Sequence, residues 1–167
     1  MRVEIVDSLA GRSEAPGEAF SDLAVERALK NFLGATSGDE SLFAAENAGV
    51  RLSNATENQY VCAGTLLIRF RDAQLGQNRT AQFSLLAKVS ELLRQAGSAD
   101  ALVALLSLHS PEAGSGQQEP TLELRLEATA NSPEQAGLRW GLGLAHVQQA
   151  LLFMSRVVRQ QLKQGGD

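Results

Sequence analysis

NSPEQAGLRWGLGLAHVQQALLFMSRVVRQQ, residues 131–161, decides the fold. It opens on a helix start signal. Ser132 suits the capping position, Pro133 the first helical position, and Gln135 completes a capping box. From Ala145 onward, Val147, Ala150, Leu151, Met154, Val157, Val158 and Leu162 form a broad apolar stripe. Gln148, Gln149, Arg156, Arg159, Gln160 and Lys163 lie mostly away from it. A helix that only covers its own sheet needs an apolar face of roughly 100°. Leu152 and Phe153 exceed that width and point to a second contact, either another subunit or a deeper core. Residues 138–144 leave two alternatives open. Either the helix begins at Ser132 and sets Gly137, Gly141 and Ala145 on one close-packing face, or a short strand precedes a helix starting near Ala145. A glycine inside a helix costs about 0.5–1 kcal/mol relative to alanine, so the first alternative needs a backbone packed close against it.

The same glycines invite a different comparison. Gly137-x-x-x-Gly141-x-Gly143 is similar in spacing to the nucleotide loop of short-chain dehydrogenases, where glycines let a pyrophosphate approach a helix N-terminus. That loop follows the first strand of a long α/β chain. Here only 24 residues follow Gly143, Ala136 stands where that loop has Thr, and no Tyr-x-x-x-Lys lies downstream. The sequence therefore predicts no nucleotide cofactor.

Upstream of the helix, TLELRLEAT (121–129) alternates Leu122, Leu124, Leu126 and Ala128 with Glu123, Arg125 and Glu127. Period-2 alternation predicts a strand with one buried and one solvated face, at home in an antiparallel sheet. The apolar run ALVALLSL (101–108) predicts a buried strand. PEAGSGQQEP (111–120) reads as a flexible loop joining the two into a long hairpin. QYVCAGTLLIRFR (59–71) is strand by residue type. FSLLAKVSELLR (83–94) fits either period, and its Ala, Leu, Lys and Glu favour a helix. Toward the N-terminus a short strand falls in 2–9, a loop in 11–18, a helix in 18–33 stopped by Gly34, and a second short helix in 39–47. The order β-α-(α)-β-α-β-β-α predicts one α+β domain over residues 1–167. Its mostly antiparallel sheet would carry helices on one face and a long C-terminal helix, in a ferredoxin-like or helix-grip-like arrangement.

Composition narrows the function. The 167 residues carry a net charge of −4, which argues against a nucleic-acid binder. The charge is uneven. Residues 1–60 hold ten acids and five bases, whereas 135–167 hold only Asp167 against Arg139, Arg156, Arg159 and Lys163. The single cysteine, Cys62, lies in an apolar run and reads as a buried reduced thiol. The N-terminal MRVEIVDSLAGRSEA does not read as a secretory signal, and no apolar stretch is long enough to span a membrane. Cytoplasmic location is the expectation. His109 and His146 are the only histidines and form no metal or catalytic motif. Glu123 and Glu127 lie roughly 13 Å apart along a strand, too far to act as a carboxylate pair.

No catalytic, cofactor or metal residues are therefore assigned. The expected function is a non-enzymatic assembly or adaptor module, a subunit of a homo-oligomer or larger complex. Candidate partner contacts are Gly137, Trp140, Gly141, Ala145, Leu152, Phe153, Arg156 and Arg159. The alternative is a carrier holding a small apolar ligand between the sheet and the final helix.

Overall fold

The computed structural model describes residues 2–6, 18–19, 22–38, 41–71, 78–96, 102–109 and 121–164. Its elements in chain order are β1 (Arg2–Val6), β2 (Glu18–Ala19), α1 (Leu23–Thr36), β3 (Phe43–Thr56), β4 (Gln59–Phe70), α2 (Arg79–Ala96), β5 (Leu102–His109), β6 (Thr121–Ala130) and α3 (Pro133–Gln164). The class is α+β. The strands form one sheet in the order β1-β5-β6-β4-β3-β2. All neighbouring pairs are antiparallel except β1 and β5 at one edge. A ferredoxin-like arrangement is not confirmed by this order.

The two central strands explain the layering. In β4, Cys62, Gly64, Leu66, Ile68 and Phe70 are buried and alternate with half-buried or exposed residues. In β6, Leu122, Leu124, Leu126, Ala128 and Ala130 are buried and alternate with half-buried residues except at Glu123, and the register sets Leu66 beside Leu124 and Gly64 beside Leu126. These residues make the helix side of the sheet. Each buried leucine contributes roughly 1.5–3 kcal/mol from removal of apolar surface from water. The helices supply the other half of the same core with Val25 and Phe32 of α1, Leu86, Val89 and Leu93 of α2, and Trp140, Leu144 and Leu151 of α3.

Polar links fix the ends of the elements. The Asp22 carboxylate accepts from the Ala24 N–H at 2.8 Å and starts α1. Ser132 Oγ accepts from the Gln135 N–H at 3.2 Å and starts α3, one arm of the expected capping box. Arg139 donates to the Thr129 carbonyl at 2.7 Å and ties the first turn and a half of α3 to the end of β6. Farther along, Ser155 Oγ donates to the Leu151 carbonyl at 2.8 Å and accepts from the Leu42 N–H at 3.1 Å, joining α3 to the start of β3. Arg71 donates to the Gly38 and Ser41 carbonyls and closes the end of β4 over the segment between α1 and β3.

Three expectations are corrected. The helix predicted over 18–33 begins only at Leu23, because Glu18 and Ala19 pair with Leu52 and Arg51 as β2. It also runs through Gly34 to Thr36, whose hydroxyl donates to the Phe32 carbonyl at 2.8 Å. The short helix predicted over 39–47 is instead the start of β3. Phe43 pairs with Phe70 and is fully buried, and this long-range pairing outweighs the helical leaning of Ala44 and Ala45. Finally, Glu123 is not solvated: it is only 4% exposed, beside Ser107 in register, which is also buried. That patch of the second sheet face is closed to solvent, unlike the neighbouring Arg125 and Glu127, whose ion pair at 2.9 Å stays partly exposed. Of the loop expected at 11–18, Glu18 belongs to β2 and residues 11–17 lie outside the described residues, as does the loop expected at 111–120.

Candidate functional site

The helix α3 settles the alternatives left open at 138–144. Its 32 residues are continuous, about 48 Å at 1.5 Å per residue. The helix begins at Pro133 and no strand interrupts it.

Its inner face explains the glycines. Trp140 is fully buried, and its Nε1–H donates to the Leu126 carbonyl at 2.9 Å. The indole lies against Gly64, where a Cβ would come within 2.3 Å of Trp140 Cζ2. Gly141 lets α1 approach: an added Cβ would sit 3.3 Å from the Ala24 carbonyl oxygen and 3.4 Å from Ala28 Cβ. Gly143 faces the sheet, 3.2 Å from Leu102 and Leu126 methyl groups by the same measure. Gly137 is buried as well. Gly141 and Gly143 are thus packing residues at two surfaces, and all three glycines of the cluster lie inside one continuous helix.

The outer face differs. Leu138, Leu142 and Phe153 are 54%, 56% and 53% exposed. Ala145, Gln149 and Arg156 are exposed with them, and Leu152 is half-buried. Leu138, Leu142, Ala145, Gln149, Leu152 and Arg156 follow one another in steps of four, three, four, three and four residues. That spacing averages about 3.5 residues, the period seen where two helices pack along a seam.

Two grooves flank this ridge. One, of about 710 Å³, runs between α1 and α3, with Ala24, Ala28 and Asn31 on one wall and Leu138, Leu142 and Ala145 on the other. The second, of about 380 Å³, lies between α2 and α3 and is lined by Leu92, His146, Ala150, Leu152, Phe153 and Arg156. Both are open to solvent along the helix layer.

The eight sequence candidates therefore divide. Gly137, Trp140 and Gly141 are buried in packing within the chain. Ala145, Phe153, Arg156 and Arg159 are exposed, with Leu152 half-buried among them. Leu138, Leu142 and Glu134 belong to the same outer face and were not among the candidates. Their signal lies in the spacing of Leu138, Leu142 and Ala145, masked in the sequence by the glycines at 137, 141 and 143.

The described residues hold no group of three His, Cys, Asp or Glu able to bind a metal ion. His146 is half-buried at the edge of the α2–α3 groove. Cys62 is fully buried under the helix layer. Burial, with a smaller contribution from the Asp22 charge, pushes its thiol up from 9.0 to about 12. A thiol so placed is neutral and a poor nucleophile at neutral pH. No helix among the described residues is long and apolar enough to cross a membrane. No protein-family model matches the chain, and no curated protein or solved structure matches it significantly.

Proposed function

We propose that the chain is a protein-interaction module whose docking surface is the outer face of α3. The observation that carries this is the exposed apolar seam of Leu138, Leu142, Ala145 and Leu152, with Phe153 beside it, on a helix whose opposite face is already satisfied by the sheet. Scattered exposed leucines are ordinary on a protein surface, but a row at helix-pairing spacing, interrupted by Gln149, fits contact with another protein. Its surroundings fit too: Gln148 borders the seam and Arg156 ends it, polar groups at the edge of an apolar row.

This reading is favoured over a carrier of a small apolar ligand by what lies beneath α3. Trp140, Leu144, Val147, Leu151 and Met154 fill the space against the sheet and are each at most 4% exposed. The two grooves described above open on the helix surface, between α3 and its neighbouring helices. Light scattering on the purified chain, followed by a thermal-shift survey of apolar compounds, tests the choice. A stable assembly with no response to the compounds supports the interaction module. A strict monomer whose melting temperature rises with a small apolar compound supports the carrier and overturns the module.

A further inference from the structure

We infer that the occupant of this surface is a second copy of the chain, its α3 packed antiparallel on the first with the two-fold axis at Ala145. The inference rests on the interaction-module reading above and adds the partner, the direction and the register.

The argument comes from the charges at the two ends of the seam. Glu134 lies in the first turn of α3 and is exposed. Arg156 is exposed near the other end. Viewed down the helix at 100° per residue, Glu134, Leu138, Ala145, Leu152 and Arg156 fall within about 40° of one another, on one narrow line. Glu134 precedes Ala145 by eleven residues and Arg156 follows it by eleven. Leu138 precedes it by seven and Leu152 follows it by seven. A two-fold axis at Ala145 therefore sets Glu134 of each copy opposite Arg156 of the other. It also sets each Leu138 opposite a Leu152, and the two Ala145 residues against each other.

Each part of this match has a physical reason. At the axis the helices come closest, and Ala145 has only a methyl group to accommodate. The leucine pairs supply apolar burial on both sides of the axis. The outer carboxylate–guanidinium pairs supply direction more than affinity, since exposed ion pairs contribute little net energy while like charges in contact are strongly disfavoured. A parallel pairing would oppose Glu134 to Glu134 and Arg156 to Arg156. An interface used identically by both copies is also the commonest way for a chain to dimerise.

The test is a charge-reversal cycle on the full chain, read by sedimentation equilibrium, with circular dichroism confirming each fold. The variants are Glu134→Arg, Arg156→Glu and both together, with Leu142→Glu as the marker of the seam itself. The wild type is expected to dimerise. Each single reversal creates two like-charge contacts and is expected to weaken the dimer by at least ~10-fold. The double reversal restores the pairs and is expected to return the dissociation constant to within a few-fold of wild type. A wild type that stays monomeric at roughly 100 µM overturns the self-pairing. A dimer indifferent to both single reversals but broken by Leu142→Glu overturns the antiparallel register and leaves the docking face standing. A dimer indifferent to Leu142→Glu as well overturns both.

Discussion

A Cβ at position 64 would come within 2.3 Å of Trp140 Cζ2, so glycine at 64 and tryptophan at 140 are one packing solution shared by β4 and α3. The indole is held beside Gly64 by the Leu126 carbonyl, the strand neighbour of Gly64, which accepts from Nε1 at 2.9 Å, and it cannot slide away without losing that bond. Gly64→Ala is therefore expected to destabilise the fold by about 1–3 kcal/mol, the usual cost of overpacking a filled core. Urea denaturation followed by tryptophan fluorescence reads both the loss of stability and any displacement of the indole. In a Trp140→Phe background the same Gly64→Ala change is expected to cost less, because the two residues share a contact.

Gly141 and Gly143 are expected to respond differently to alanine. Both gain about 0.5–1 kcal/mol of helix preference. At Gly143 the added methyl meets leucine methyl groups, which can rotate aside. At Gly141 it meets the Ala24 carbonyl, which moves only if α1 moves. Gly143→Ala is expected to be near neutral and Gly141→Ala destabilising, by roughly 1 kcal/mol or more. Thermal melts of the two variants side by side check the order.

Cys62 gives a prediction in pH. Its thiol titrates near 9.0 in an open chain and at about 12 in the fold. The folded state thus holds its proton where the unfolded state has lost it. The stabilisation is complete below pH 9 and disappears as pH rises toward 12. Cys62→Ala removes that dependence, so the wild type is expected to lose stability relative to Cys62→Ala between pH 9 and 11. The native thiol is also expected to react with a thiol reagent at pH 8 only as fast as the chain opens. Rapid labelling without denaturant would show that the thiol is accessible in the native state.

Asp22 links two of these features. It caps α1 and its charge raises the Cys62 thiol. Asp22→Asn keeps an oxygen for the cap and removes the charge. It is expected to leave stability near wild type while shifting the Cys62 titration downward. Asp22→Ala is expected to cost about 1 kcal/mol through the lost cap. The shift is read by ultraviolet absorbance of the thiolate.

How much of this was legible beforehand depended on whether the signal was local. β6 declared itself by strict alternation, and α3 by Ser132 and Pro133, because both signals sit within a few residues. The start of β3 did not. Ala44, Ala45 and Ala48 carry no strand preference, and only the pairing of Phe43 with Phe70 makes them a strand. Glu123 was unreadable for the same reason: the strand pattern places it on the second face, but only the neighbouring Ser107 and the closure of that patch make it buried. At the candidate site the sequence pointed to Leu152 and Phe153, whose excess over one apolar face is a local count. It missed Leu138 and Leu142 because Gly137, Gly141 and Gly143 around them left open whether residues 138–144 were helical at all. The Trp140–Gly64 contact, 76 positions apart in sequence, could not be seen without the register of β4 and β6.

On the proposed reading, α3 folds the chain with one face and binds a second copy with the other. The light-scattering mass of Leu138→Glu/Leu142→Glu, beside that of wild type at equal concentration, separates the two roles. The wild type is expected at twice the 17.8 kDa chain mass and the variant at 17.8 kDa with an unchanged melting temperature. Equal masses for the two proteins would rule out binding through this face.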